Sequence, residues 1–187
     1  MPLHYGSRNG SKIEWIVIHY PVAPGCTAKW CYDYYNRTNE KKSAHFSVSD
    51  NDVQTIVPCS LAAYHCATTG CVVKCGACNR NSIGIDLMDN KLSKKTMNVC
   101  DDDWYISEKT LSVASGFIAD LMHIFDIDID HVVRHHDVTG KACPRPLVGD
   151  DVNQYYGISG NERWERFKQQ ISEDFDTITI YDSICCQ

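Results

Sequence analysis

VVRHHDVTGKACPRP, residues 132–146, sets two adjacent histidines, an aspartate, a lysine and a cysteine in one short stretch that ends in prolines. Alone, it fits a metal site, a cysteine nucleophile with its base, or a polar turn. The rest of the chain has to decide, because a metal site needs a further ligand delivered from elsewhere. HVVRH at 131–135 reads as a short strand. In a strand His135 and His136 point to opposite faces, so only one of them enters a site. Val132 and Val133 alternate as well, so the pattern does not say which. Cys143 returns through a Thr-Gly turn, and Pro144 and Pro146 stiffen the chain beyond it.

Working outward, EWIVIHY at 14–20 is apolar on both alternating faces, which suits a central strand covered on two sides. His19 stands near its C-terminal end. TAKWCYDYYNR at 27–37 comes after a Pro/Gly turn and reads as a helix capped by Thr27. HFSVS at 45–49 and VQTIV at 53–57 flank Asp50, Asn51 and Asp52, the pattern of a hairpin. SIGIDLM at 82–88 is another strand. Leu111, Ala114, Ile118, Leu121 and Phe125 lie on one face of a helix over 107–125. Ser159 and Glu162 have capping-box spacing before a last amphipathic helix through Phe175. The segment 145–158 reads as loop, and the tail 176–187, with its TITIY run, as ambiguous. Strands alternating with helices, with one hairpin, predict an α/β fold: a single domain with a central mixed sheet flanked by helices, over residues 1–175.

The bulk properties set limits. A chain of 187 residues, 43% hydrophobic, can bury one real core but has little room for a second. Its formal net charge of −6 argues against general attraction to nucleic acid or an anionic membrane. No apolar stretch approaches the roughly 20 residues of a membrane helix. The N-terminus MPLHYGSRNGSK shows no apolar signal run, so the expectation is a soluble monomer made in the cytoplasm. Eleven cysteines then read as reduced thiols, some of them binding metal.

Zinc takes imidazole nitrogen and thiolate sulfur, and a hydrolytic site keeps a position open for water. His19, His135 and Cys143 could supply three ligands. Here the residues reach a known family. HHDVTGKACP resembles the second metal motif of the type-2 zinc N-acetylmuramoyl-L-alanine amidases, the fold shared by peptidoglycan recognition proteins and many phage endolysins. In that motif a cysteine stands eight positions after a ligand histidine, and a lysine precedes the cysteine by two. The match selects His135 over His136, and Lys141. IVIHY resembles the first metal motif, giving His19. SAHFSVSDNDVQTIVP at 43–58 is similar to the family's hairpin, and AAYHC at 62–66 to its Trp-His segment, with Tyr64 in place of Trp. NSIGIDLM at 81–88 resembles the strand that carries a catalytic acid. The motifs keep the family's order over roughly residues 13–175.

The resemblance implies a zinc enzyme that cuts the bond between N-acetylmuramic acid and L-alanine in bacterial peptidoglycan, as an endolysin or autolysin. Asp86 would act as general base and Lys141 as oxyanion partner. His65 would contact substrate or pack. Two departures stand out. Ala44 replaces the tyrosine that many relatives carry before the hairpin histidine. Asp86 stands where relatives with that alanine carry glutamate, one methylene longer.

Other readings stay beside these. His45 reads as structural, and Trp30, Tyr34 and Tyr35 as a core-facing helix face rather than a sugar platform. A cysteine peptidase with Cys143 as nucleophile and His135 as base is the rival enzyme. A non-catalytic peptidoglycan-binding module is the rival without chemistry, though such relatives lose the metal cysteine. Finally, Cys66, Cys71, Cys75 and Cys78 crowd one loop, and Cys75-Gly-Ala-Cys78 has the spacing of a zinc knuckle half-site. That loop is expected to hold a second metal, a local disulfide set or free thiols.

Overall fold

A computed structural model describes residues 4–37, 41–66 and 75–185. In chain order the elements are β1 (Tyr5–Ser7), β2 (Trp15–His19), α1 (Ala28–Tyr35), β3 (Phe46–Ser49), β4 (Asp52–Thr55), β5 (Leu61–Ala63) and β6 (Ser82–Leu87). Then come β7 (Asn90–Lys91), β8 (Trp104–Tyr105), α2 (Glu108–Phe125), β9 (Val132–Arg134), α3 (His135–Thr139) and α4 (Gly160–Cys185). Five strands make the central sheet, in the order β4-β3-β6-β2-β9. Within this sheet only the β3–β4 hairpin pairs antiparallel; β3–β6, β6–β2 and β2–β9 are parallel. This is the mixed α/β sheet expected from the sequence.

Local chemistry sets the helix starts. Thr27 Oγ1 accepts from the Trp30 N–H at 3.1 Å, Ser107 Oγ from Thr110 at 3.0 Å and Ser159 Oγ from Glu162 at 3.1 Å. Each bond satisfies one of the amide donors left over at a helix start. The ambiguous TITIY run lies inside α4, which crosses residue 175 without a break. No Gly or Pro comes after Gly160, and extending a helix costs far less than starting one, so β-branched residues do not stop it.

Period-two alternation sorts the sheet's side chains. Ile16, Ile18, Ile83, Ile85 and Leu87 face α2 and α4, where they bury against Leu111, Ile118, Trp164, Phe167 and Ile171. The opposite face carries Val17 and His19 on β2, and Ser82, Gly84 and Asp86 on β6. There α1 packs over Ala44 and Met88, while Val138 of α3 packs on Val17 and Val133.

A boundary beside the histidine pair also differs from the sequence reading. The strand expected over 131–135 ends at Arg134, and His135 opens α3. The cause is Asp137, whose Oδ2 accepts the Arg134 backbone N–H at 2.9 Å while its other oxygen takes the Arg134 guanidinium at 2.8 Å. That reach-back turns the chain into a helix one residue early, so strand alternation does not apply to the histidine pair.

Candidate active site

Register delivers the site. β2 and β6 align His19 with Asp86, and β2 and β9 align Ile18 with Arg134, the residue before His135. Three adjacent parallel strands therefore end together, and the carboxyl edge of such a sheet is where α/β folds bind ligands. Gly140, at φ 82, closes α3 in the left-handed region that only glycine takes without cost, and the chain doubles back. The return is held by the His136 N–H on the Cys143 carbonyl (2.8 Å) and the Cys143 N–H on the Lys141 carbonyl (2.7 Å).

This loop sets Cys143 beside the two histidines. The ligating atoms of His19, His135 and Cys143 all lie within 4.8 Å of one another, and all three residues are buried. They floor a cleft of roughly 230 Å³ that Asp86, Lys141, His65, Tyr35 and Ala44 also line. A roomier groove of about 630 Å³ between the C-terminal end of α2 and the middle of α4 has no such trio among the described residues.

The donor set fits a zinc-like cation. His19 Nδ1 lies 3.8 Å from Cys143 Sγ, while its Nε2 bonds His65 Nδ1 at 3.0 Å. His135 Nδ1 is buried without a hydrogen-bond partner, and the ring bonds the Cys66 backbone through its other nitrogen. An unpaired buried nitrogen costs on the order of 1–3 kcal/mol, which a metal bond would remove. Burial, with Lys141 adding to it, lowers the His135 pKa to about 4, and burial and His135 hold His19 well below its ordinary value. Both imidazoles are thus neutral, as ligation requires. Burial pushes the Cys143 thiol up to about 12. A cysteine nucleophile needs the opposite shift, so the peptidase reading has no support here.

Asp86 is 3% exposed, and burial raises its carboxyl to about 6. Two donors counter that rise: the Tyr35 hydroxyl at 2.8 Å and the Cys31 thiol at 3.6 Å. Both land on Oδ2, so they leave Oδ1 uncommitted. Lys141 is exposed and lines the cleft.

The sequence reading missed the role of Tyr35. Trp30 and Tyr35 do pack against the core under α1, but the Tyr35 hydroxyl turns to Asp86. Nothing local marks it, because the contact depends on where α1 crosses β6. Ala44, which replaces a tyrosine of the family pattern, lines the same cleft. His65 also lines it, but its two ring nitrogens already bond His19 and Ser82 within the protein. His45 is structural as expected: it is fully buried, its Nδ1 accepts the Gly84 N–H at 2.9 Å, and burial lowers its pKa to about 3.

Cys71 lies outside the described residues. Cys75 and Cys78 are free thiols, and among the described residues neither they nor Cys66 join a trio of ligating side chains. Cys66 and Cys75 pack instead against the Val17–Val133 cluster.

Comparison with known proteins gives a consistent pattern. Residues 9–146 match the family described as N-acetylmuramoyl-L-alanine amidase. N-acetylmuramoyl-L-alanine amidase CwlL of Bacillus licheniformis is 30% identical over 146 residues, 74% of this chain and 38% of that protein. N-acetylmuramoyl-L-alanine amidase CwlH of Bacillus subtilis (strain 168) is 30% identical over 167 residues, 87% of this chain and 60% of its own length. The chain therefore spans less than two thirds of either relative. Among solved structures, the catalytic domain of XlyA superposes with a TM-score of 0.63 at 24% identity, over 91% of this chain and 90% of that one. A structure described as a mutant endolysin from Bacillus subtilis gives 0.64 at 25% identity, with the same coverage.

Proposed function

The chain belongs to the N-acetylmuramoyl-L-alanine amidase family, and we propose that it is a zinc-dependent hydrolase of the amide between N-acetylmuramic acid and L-alanine in bacterial peptidoglycan. The observation that carries the reading is the trio of His19, His135 and Cys143, with a buried, unpartnered nitrogen on His135. These three residues would hold the metal. Zinc supplies Lewis-acid polarisation of the scissile carbonyl and of the attacking water.

The chain's own groups do the rest. Asp86 takes the proton of the attacking water and returns it to the leaving amine, a role suited to a carboxyl whose pKa sits near 6. Tyr35 holds one Asp86 oxygen, so the other stays available to the reactants. That grip helps the shorter aspartate serve where relatives use glutamate. Lys141, at the exposed side of the cleft, places a positive charge where the carbonyl oxygen becomes negative. The partner is the muramyl stem peptide of the bacterial wall, met by a soluble monomer that needs neither nucleic acid nor membrane. No described helix is long and apolar enough to cross a membrane. The catalytic domain takes in residues 1–175, and the wall-lytic role is that of an endolysin or autolysin.

The test is zinc stoichiometry together with release of free L-alanine amino termini from purified wall. One zinc per chain, with alanine release abolished by chelation, is the expected result. Zinc binding without alanine release would favour a non-catalytic wall-binding module, and alanine release untouched by chelation would sink the metal reading.

A further inference from the structure

We propose that His65 is a positioning residue: through a chain of hydrogen bonds that ends at the Cys78 carbonyl, it fixes which nitrogen of His19 is offered to a metal. The inference rests on the metal reading above and goes beyond it.

The direction of each bond comes from counting hydrogens. Ser82 has one hydroxyl hydrogen, and its Oγ lies 2.5 Å from the Cys78 carbonyl oxygen, which can only accept. That hydrogen is committed there. Towards His65 Nε2, at 3.1 Å, Ser82 can therefore only accept, so Nε2 carries the hydrogen. Among the described residues His65's ring nitrogens bond only His19 and Ser82, with no carboxylate to hold an imidazolium. A neutral ring protonated on Nε2 has a bare Nδ1. His65 Nδ1 sits 3.0 Å from His19 Nε2, so His19 donates and carries its hydrogen on Nε2. The His19 lone pair is then on Nδ1, the nitrogen 3.8 Å from Cys143 Sγ. The chain of bonds leaves His19 one tautomer, the one ready for a metal.

The surroundings hold His65 in place from two sides. The Asn79 Oδ1 accepts the backbone N–H groups of His65 (3.0 Å) and Cys66 (2.9 Å). The Cys66 backbone in turn bonds His135, so one clamped dipeptide serves both histidine ligands. From below, the His65 ring lies on Gly84, where an added Cβ would come within 2.5 Å of its Cγ. SIGID needs its glycine for this reason, not for a left-handed turn.

The experiment has two readouts. In the metal-free protein, nitrogen-15 imidazole NMR reports tautomers directly; His19 and His65 should both carry hydrogen on Nε2. A His19 hydrogen on Nδ1 would overturn the proposal. Zinc affinity is then measured by competition with a chromophoric chelator, with thermal stability tracked in parallel. His65→Ala should weaken zinc binding by about 10–100-fold, the usual effect of removing a partner behind a metal ligand. His65→Asn, with an amide oxygen near the place of Nδ1, should recover most of that loss, and Ser82→Ala should lose less in the same direction. Unchanged affinity in His65→Ala, with KM for wall fragments raised instead, would make His65 a substrate contact and end the proposal. If His65→Ala does not fold, Ser82→Ala decides: weakened zinc binding in the folded variant supports the proposal, and wild-type affinity overturns it. Wild-type protein that binds no zinc would overturn the metal reading itself, which is a different failure from zinc binding that ignores His65.

Discussion

The two faces of the central sheet are built from the same strands and do opposite work. On the α2–α4 face, β2 and β6 present isoleucine and leucine, all fully buried in one apolar cluster. On the other face the alternate residues of the same strands include Val17 and His19 on β2 and Ser82, Gly84 and Asp86 on β6. Here burial is just as deep, but beside Val17 the buried side chains are polar and mostly satisfied by one another. The first face stabilises by removing apolar surface from water, roughly 25 cal/mol per Å². The second face also buries apolar clusters around Met88 and Val17, but its polar site costs stability, because metal ligation and proton transfer need titratable groups held away from water. A register shift of one residue would exchange the two faces.

Cys143 is the most sensitive position of the polar face. Cys143→Ser should strip metal and turnover together, since neither histidine can leave its place to fill the position; full activity in the metal-free variant would refute the hydrolase reading. Next in size is Asp86→Asn, which should keep zinc and lower kcat by about 10²–10⁴-fold, the usual cost of losing a general base. The same change should stabilise the metal-free fold. Burial raises the Asp86 carboxyl from its ordinary 3.8 to about 6, so between those values the folded state holds more protons than the unfolded one. Stability therefore falls as pH rises through that window. At pH 7 the ionised group costs about 3 kcal/mol, on the scale of 1.36 kcal/mol per pKa unit. Urea melts of both proteins should diverge by up to that amount at pH 7 and converge near pH 4.

The apolar face should answer differently. Ile118→Ala should cost about 2–5 kcal/mol in melts, as for other large-to-small core changes, while zinc affinity stays at the wild-type value. Metal loss in that variant at temperatures where it is folded would show that the faces are coupled. The smallest expected effect is that of Tyr35→Phe. The tyrosine bond lowers the Asp86 pKa, so its removal should move the acid limb of the kcat profile to higher pH and reduce kcat by less than about tenfold at neutral pH. An unmoved acid limb would mean that Tyr35 does not act through Asp86.

Much of this is legible in the residues. Two cap residues, Thr27 and Ser159, mark their helix starts in the sequence and bond there in the structure. The apolar runs of β2 and β6 declare strands covered on both sides. The motifs and their family resemblance name His19, His135, Cys143, Asp86 and Lys141, and these meet in one cleft. The residues alone put Tyr35 in the core, leave His65 between packing and substrate, and set His135 on a strand.

The sequence determines by itself whatever a few neighbouring residues can encode: periodicity, caps, turns and the kinds of atom that bind metal. Such signals act over one turn or one pleat, so they survive without knowledge of the rest of the chain. Alternation cannot choose between His135 and His136, because Asp137 ends the strand before alternation reaches them. Only the tertiary structure brings Cys143 to His19 across 124 positions, Tyr35 to Asp86 across 51 and His65 to His19 across 46. Those distances are set by parallel strand register and by the crossing of α1 over the sheet. Both are fixed by backbone pairing and by burial of a shared core, which belong to the whole chain and to no single stretch of it.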